Sequence, residues 1–229
     1  MKKVLLILFA LGFCSSAVAC PFCNNDIRKG IFNSQFYPNL FLMCSAFIAL
    51  AIVVLVLALL SRKRYRANVS KYPTRQLLNP VPMFNTALIL GIGLGGFIDG
   101  IVLHQILQWH EMLSNKIPPD NYVNKSVNMF WDGLFHLVTW LTTLTGIILL
   151  WSISRRRDVD HSGKLFAGGL IMGWGVFNIV EGAIDHHLLK LHNVKELTLN
   201  KEAWNYGFLA FSILLIVVGW LVARSRRET

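Results

Sequence analysis

The stretch Gly95-Gly96-Phe97-Ile98-Asp99-Gly100-Ile101-Val102-Leu103-His104 lies in a mostly apolar run and is followed by His110. A second run holds Glu181-Gly182-Ala183-Ile184-Asp185-His186, followed by His192. Aligning Gly100 with Gly182 pairs Asp99 with Glu181, His104 with His186, Leu107 with Leu189 and His110 with His192, without a gap. The next runs also begin alike, Phe130-Trp131-Asp132 against Ala203-Trp204-Asn205, and each ends in basic residues. Farther along the likeness loosens, because His136 maps onto Leu209. This pattern predicts two duplicated hairpins of membrane helices, parallel to each other about a pseudo-twofold axis along the membrane normal.

Composition agrees with a membrane chain. Of 229 residues 54% are hydrophobic, and a membrane span needs about 20 mostly apolar residues. Six stretches qualify by eye, the first of which reads as a signal peptide. Lys2 and Lys3 are basic, Val4 to Phe13 form a short apolar core, and Ala17-Val18-Ala19 is a small-residue cleavage site. The expected organisation is therefore a signal peptide over 1–19, an outer segment over 20–39, helix one over 40–61, a basic loop over 62–81, and a four-helix duplicated domain over 82–227. The remaining helices are expected at 84–109, 129–154, 165–191 and 204–223. The fold class is an all-α membrane protein with five transmembrane helices, four of them the duplicated bundle and helix one beside it.

The net charge of +10 resides in clusters flanking the apolar runs, which is the pattern of topology signals and not of a nucleic-acid groove. Thirteen Lys and Arg follow helices one, three and five: Arg62 to Arg75, Arg155 to Lys164, and Arg224 to Arg227. Seven occupy the opposite side: Arg28, Lys29, Lys116, Lys125, Lys190, Lys195 and Lys201. The expectation is a bacterial inner-membrane protein with the N-terminus outside and the C-terminus in the cytoplasm.

Ionisable residues within a bilayer are costly and face a cavity, a bundle interior or a partner. Here Asp99, His104, His110, Asp132, His136, Glu181, Asp185, His186, His187 and His192 all fall in the outer half of helices two, three and four. At about 100° per residue, Glu181, Asp185 and His192 share a face within roughly 40°, and Asp99 and His110 share the corresponding one. The same rule turns His104 and His186 about 140° from Asp99 and Glu181, toward a different neighbour.

Imidazole and carboxylate on facing bundle helices suit a metal ion such as copper, zinc or iron. A b-type haem between His104 and His186 is the alternative cofactor, and a membrane-embedded metalloenzyme is the alternative activity. For His110 and His192, beyond the expected helix ends, capping or ion pairing is as reasonable as ligation. His161, in a basic loop, should be inert. Cys20-Pro21-Phe22-Cys23 at the expected mature N-terminus suits a redox pair, a metal pair or a structural bridge, whereas Cys44 within helix one is a packing residue. The glycines of helices two and four let those helices approach closely.

The Gly96–Gly100 and His104–His110 segments, Asp132 to His136, and Gly173-Trp174-Gly175 through Glu181-Gly182 to His192 resemble a family of bacterial predicted membrane proteins with a domain of unknown function. The resemblance covers about residues 82–223. It implies a link to copper-assembly proteins of haem–copper oxidases, hence copper ahead of zinc and iron, and respiratory oxidase assembly factors as partners beside the lipid bilayer. The segment 20–81 lies outside the resemblance.

Overall fold

A computed structural model describes residues 24–71 and 78–225. Cys20, Cys23 and the expected signal peptide lie outside the described residues. A short helix α1 (Asn25–Ile31) begins under a side-chain cap from Asn24. Five helices long and apolar enough to cross a membrane follow: α2 (Phe36–Lys71), α3 (Val81–Ile106), α4 (Tyr122–Ile153), α5 (Gly163–Leu188) and α6 (Lys201–Arg224). Among the described residues there is no strand, only an isolated bridge between Asn79 and Val159. The expected five-helix architecture is the one observed.

The ends differ from expectation where residue chemistry does not oppose helix. α2 continues through the basic stretch to Lys71, since Arg, Lys and Ala are good helix formers even where hydropathy is lost. α4 starts at Tyr122, where Asn121 accepts the N–H of Asn124 in the capping position.

α3 and α5 pack on each other at the centre, α4 lies against α3, and α6 lies against α5. Close approach at the centre depends on Gly91 and Gly173, residues 82 apart in sequence. A Cβ on Gly91 would strike the carbonyl of Leu170, and one on Gly173 would strike that of Leu88. Each helix thus presents the same glycine notch to the other, so the backbones meet.

At one end both central helices widen into π-helical turns, Asp99–Ile106 on α3 and Gly182–Leu188 on α5. Each turn closes identically. Leu107 N–H donates to the Val102 carbonyl and Leu189 N–H to that of Ile184. Gln108 and Lys190 then take the left-handed conformation, at φ 48° and 50°, a strained region for non-glycine residues. The chain turns back across the bundle end, and its loops bury Met112, Leu113, Leu191 and Val194. That lid creates the enclosure described next.

Candidate metal centre

Four imidazoles meet beneath the two loops. Ring centroids of His104 and His110 are 4.3 Å apart, those of His110 and His192 are 4.5 Å apart and parallel, and those of His186 and His192 are 4.8 Å apart. All four residues are buried, with Asp99, Asp132, Glu181 and Asp185. Two from each π-turn hairpin stand in equivalent positions.

The π-turn is what places them. In an α-helix residues five apart diverge, but a π-helical turn bonds residue i to i+5 and so stacks them. His104 Nε2 accordingly lies 3.1 Å from Asp99 Oδ2, and His186 Nε2 lies 2.9 Å from Glu181 Oε1. The expected 140° divergence of each pair is overturned, because it assumed uniform α-helical pitch through a segment that is wider.

Hydrogen bonds on the far ring nitrogens orient three of the rings. His110 Nδ1 donates to the Val194 carbonyl at 2.8 Å, and His192 Nδ1 donates to the Met112 carbonyl at 3.0 Å. The two loops therefore exchange contacts reciprocally, each carbonyl holding the histidine of the other hairpin. His104 Nδ1 donates to Asp132 Oδ1 at 2.9 Å. A carbonyl only accepts, so Nδ1 of His110 and of His192 carries a proton, and Nε2 is the ring atom of each that faces the chamber. His110 is held well below the usual imidazole range by burial, then by the neighbouring His104, His192 and His186. Its Nε2 therefore carries a lone pair and no proton.

Those Nε2 atoms point at other polar atoms. His110 Nε2 is 2.9 Å from His104 Nε2, which itself faces Asp99 Oδ2. His192 Nε2 is 3.0 Å from Glu181 Oε1. Acceptors this close repel unless a proton or a metal ion lies among them. His104, His110 and His192 each offer a ligand atom within 4.8 Å of the others, and so do Glu181, His186 and His192. His186 Nε2 approaches Glu181 without hydrogen-bond geometry, and both His186 ring nitrogens lack a hydrogen bond among the described residues.

A family model described as predicted membrane protein, DUF2243, matches residues 86–226. The chain belongs to this family. No curated protein and no solved structure matches it significantly. The family match takes in α3 to α6 with both π-turns and both loops, and leaves α1 and α2 outside.

Within that region the structure sorts the expected site residues. Asp99, His104, His110, Glu181, His186 and His192 converge, with Asp132 behind His104. Asp185 is buried with Oδ1 unpartnered among the described residues, in electrostatic reach of Glu181, His192, Asp99 and His104. His136 does not join them. Its Nδ1 donates to the Asp132 carbonyl one turn back, and its ring fills the space that Gly100 leaves. His187 turns away as well, donating from Nδ1 to the Gly182 carbonyl and packing its ring on Tyr206. Cys44 is a free, partly buried thiol within α2.

Several supports were not foreseen. Asp132 Oδ1 also accepts the Met112 N–H at 2.8 Å, and Asn205 Oδ1 accepts the Val194 N–H at 3.0 Å. Asp132 and Asn205 thus hold the very residues whose carbonyls orient His192 and His110. Asn128 accepts the Leu113 N–H and donates to the Ile117 carbonyl. The signal available was the alignment of Asp132 with Asn205, which marked a shared position without revealing its backbone partner.

Proposed function

We propose that this protein binds first-row transition metal in the membrane, through two overlapping ligand sets, His104, His110 and His192, and Glu181, His186 and His192, with Asp99 facing His104. One observation carries the reading. Three rings are held from behind by their Nδ1 atoms, so that their Nε2 atoms converge on carboxylate oxygens and each other in a buried chamber. Backbone and carboxylate anchoring of the far nitrogen is how metal-binding histidines are oriented. The recurrence at a spacing of 82 residues of the acid–histidine contact, Asp99–His104 and Glu181–His186, and of the loop contact that holds His110 and His192 supports a duplicated hairpin as the origin of the site.

Mixed imidazole and carboxylate ligands suit borderline divalent ions. Copper, in service of respiratory-oxidase assembly, is the choice to which the sequence resemblance points. A b-type haem between His104 and His186 is disfavoured by packing, because His110 and His192 stack where a porphyrin would lie. The bias of Lys and Arg supports a site at the outer face of a bacterial inner membrane, with the C-terminus inside.

The test is elemental analysis of protein purified without chelator and dialysed, beside His110→Ala and His192→Ala variants. The expected result is up to two equivalents of copper, zinc or iron in the wild type, with a loss of at least half in each variant. Metal below a tenth of an equivalent after loading with each of these ions would overturn the proposal.

A further inference from the structure

One face of α2 changes character toward its C-terminal end. Leu57, Leu60, Ser61, Arg64, Tyr65 and Asn68 recur at intervals of three and four, which puts them on one side of a helix. All six line a single pocket of about 500 Å³. From Leu57 to Asn68 the lining passes from apolar to basic and polar over about 16 Å, at about 1.5 Å per residue. α6 brings Trp220 and Arg224 to the same pocket in the same order, and Phe84 of α3 and Met172 of α5 extend its apolar wall. α2 lies outside the region of the family match, so this pocket depends on the part of the chain that the match leaves out.

The lining specifies its occupant from two sides. Neither Arg64 nor Arg224 has an ion pair among the described residues, unlike Arg156 with Asp158 and Lys201 with Glu196. Arg224 Cζ lies 5.2 Å from the Trp220 ring centroid, a contact that steadies the guanidinium without neutralising it. Asp160 adds a carboxylate whose Oδ1 accepts the Ser162 N–H at 2.9 Å, so two guanidinium groups stand against one carboxylate. Leu60 and Trp220 line the pocket and are still 48% and 47% exposed, so its apolar part opens onto the acyl region of the bilayer. A soluble anion would meet the arginines and leave that apolar wall bare. A zwitterionic lipid would cover the wall and bring its own cation toward the guanidinium groups. A helix of a second copy would bring no anion. A phospholipid of net negative charge satisfies both parts, and basic pockets between membrane helices bind such headgroups.

We infer that this pocket holds one anionic phospholipid from the leaflet at the basic end of the bundle, its phosphate on Arg64 and Arg224 and an acyl chain along Leu60, Leu57 and Trp220. The planar guanidinium fork matches two phosphate oxygens at once. The bound lipid ties α2 to α6, helices that no other interaction described above joins. The inference does not need the metal, whose proposed ligands lie at the opposite end of α3 and α5.

The test is native mass spectrometry of the full chain, delipidated in a neutral detergent and titrated with phosphatidylglycerol or phosphatidylcholine of identical acyl chains. One phosphatidylglycerol should be retained per chain, at a concentration at least about 10-fold below that required by phosphatidylcholine. Arg64→Gln combined with Arg224→Gln should erase that preference. Arg62→Gln combined with Arg157→Gln removes the same charge at the same end from residues outside the lining, and should keep it. A large excess of glycerol 3-phosphate should not displace the lipid. Equal binding of the two lipids by the wild type overturns the inference, a result that needs no variant to fold. So does equal loss of preference in both double variants, which would assign it to diffuse surface charge. Displacement by glycerol 3-phosphate would assign the pocket to a soluble phosphate ester, and a stable dimer that excludes lipid would assign it to a second copy; either overturns the inference. Metal content is read on the same samples: lipid preference without metal defeats only the metal proposal, and metal without lipid preference defeats only this one.

Discussion

Replacing Asp132 by alanine should disturb both halves of the centre at once. Its Oδ1 accepts from His104 Nδ1 at 2.9 Å and from the Met112 N–H at 2.8 Å, and the Met112 carbonyl in turn holds His192. The side chain is 2% exposed, so water cannot readily replace it. Each hydrogen bond to a charged group is worth about 1.5–3 kcal/mol, and removing the shared acceptor should cost about 3–5 kcal/mol. For a chain of this size that is a fall of about 6–20 °C in the melting temperature. Loosened imidazoles should also weaken metal binding about 10–100-fold. Asp132→Asn keeps an oxygen in the same place and should lose less than about 10-fold in affinity. Thermal unfolding in detergent and metal titration of both variants measure this. An alanine variant that melts and binds metal like the wild type would refute the claim that Asp132 positions the rings.

His136→Ala and His161→Ala should leave metal content unchanged by elemental analysis, because neither ring reaches the cluster; a loss in His136→Ala would return that residue to the site. Glu196 ties the two loops together by accepting from Ser114, Asn193 and Lys201. Burial raises its pKa, but these donors outweigh burial and hold the carboxyl below its usual range. Its contribution, about 1 kcal/mol at a partly exposed position, should be present above pH 4.5 and vanish as pH falls through the lower folded value. Glu196→Gln should therefore lower the melting temperature at pH 7 but not in strong acid; an unchanged difference across that range would contradict the assignment. For topology, a single cysteine at Asn115 should react with a membrane-impermeant thiol reagent in intact spheroplasts, whereas one at Asn68 should react only after lysis; the reverse would invert the orientation.

The helices were legible because hydropathy alone separates 20-residue apolar runs from basic loops. The pairing of Asp99 with Glu181 and of His104 with His186 was legible for a similar reason: acids and imidazoles are conspicuous against leucine and glycine. Their mutual geometry was not. A π-helical turn carries no distinct residue pattern, so counting at α-helical pitch sent His104 away from Asp99 when the chain brings them to 3.1 Å. The importance of His110 and His192 was hidden for a different reason. The carbonyls of Val194 and Met112 that orient them are backbone groups present at every residue, and only the path of the loops decides which ones are in reach. His136 is a histidine of the right type and depth whose Nδ1 bonds its own helix, at the Asp132 carbonyl.

The most direct test of the metal centre is X-ray absorption at the edge of whatever ion the purified, dialysed protein retains. The proposed metal site predicts a nitrogen and oxygen shell near 2.0–2.2 Å with the outer-shell scattering of two or more imidazoles, diminished in His110→Ala and His192→Ala. A shell dominated by sulfur near 2.3 Å, or one without imidazole scattering, would contradict it.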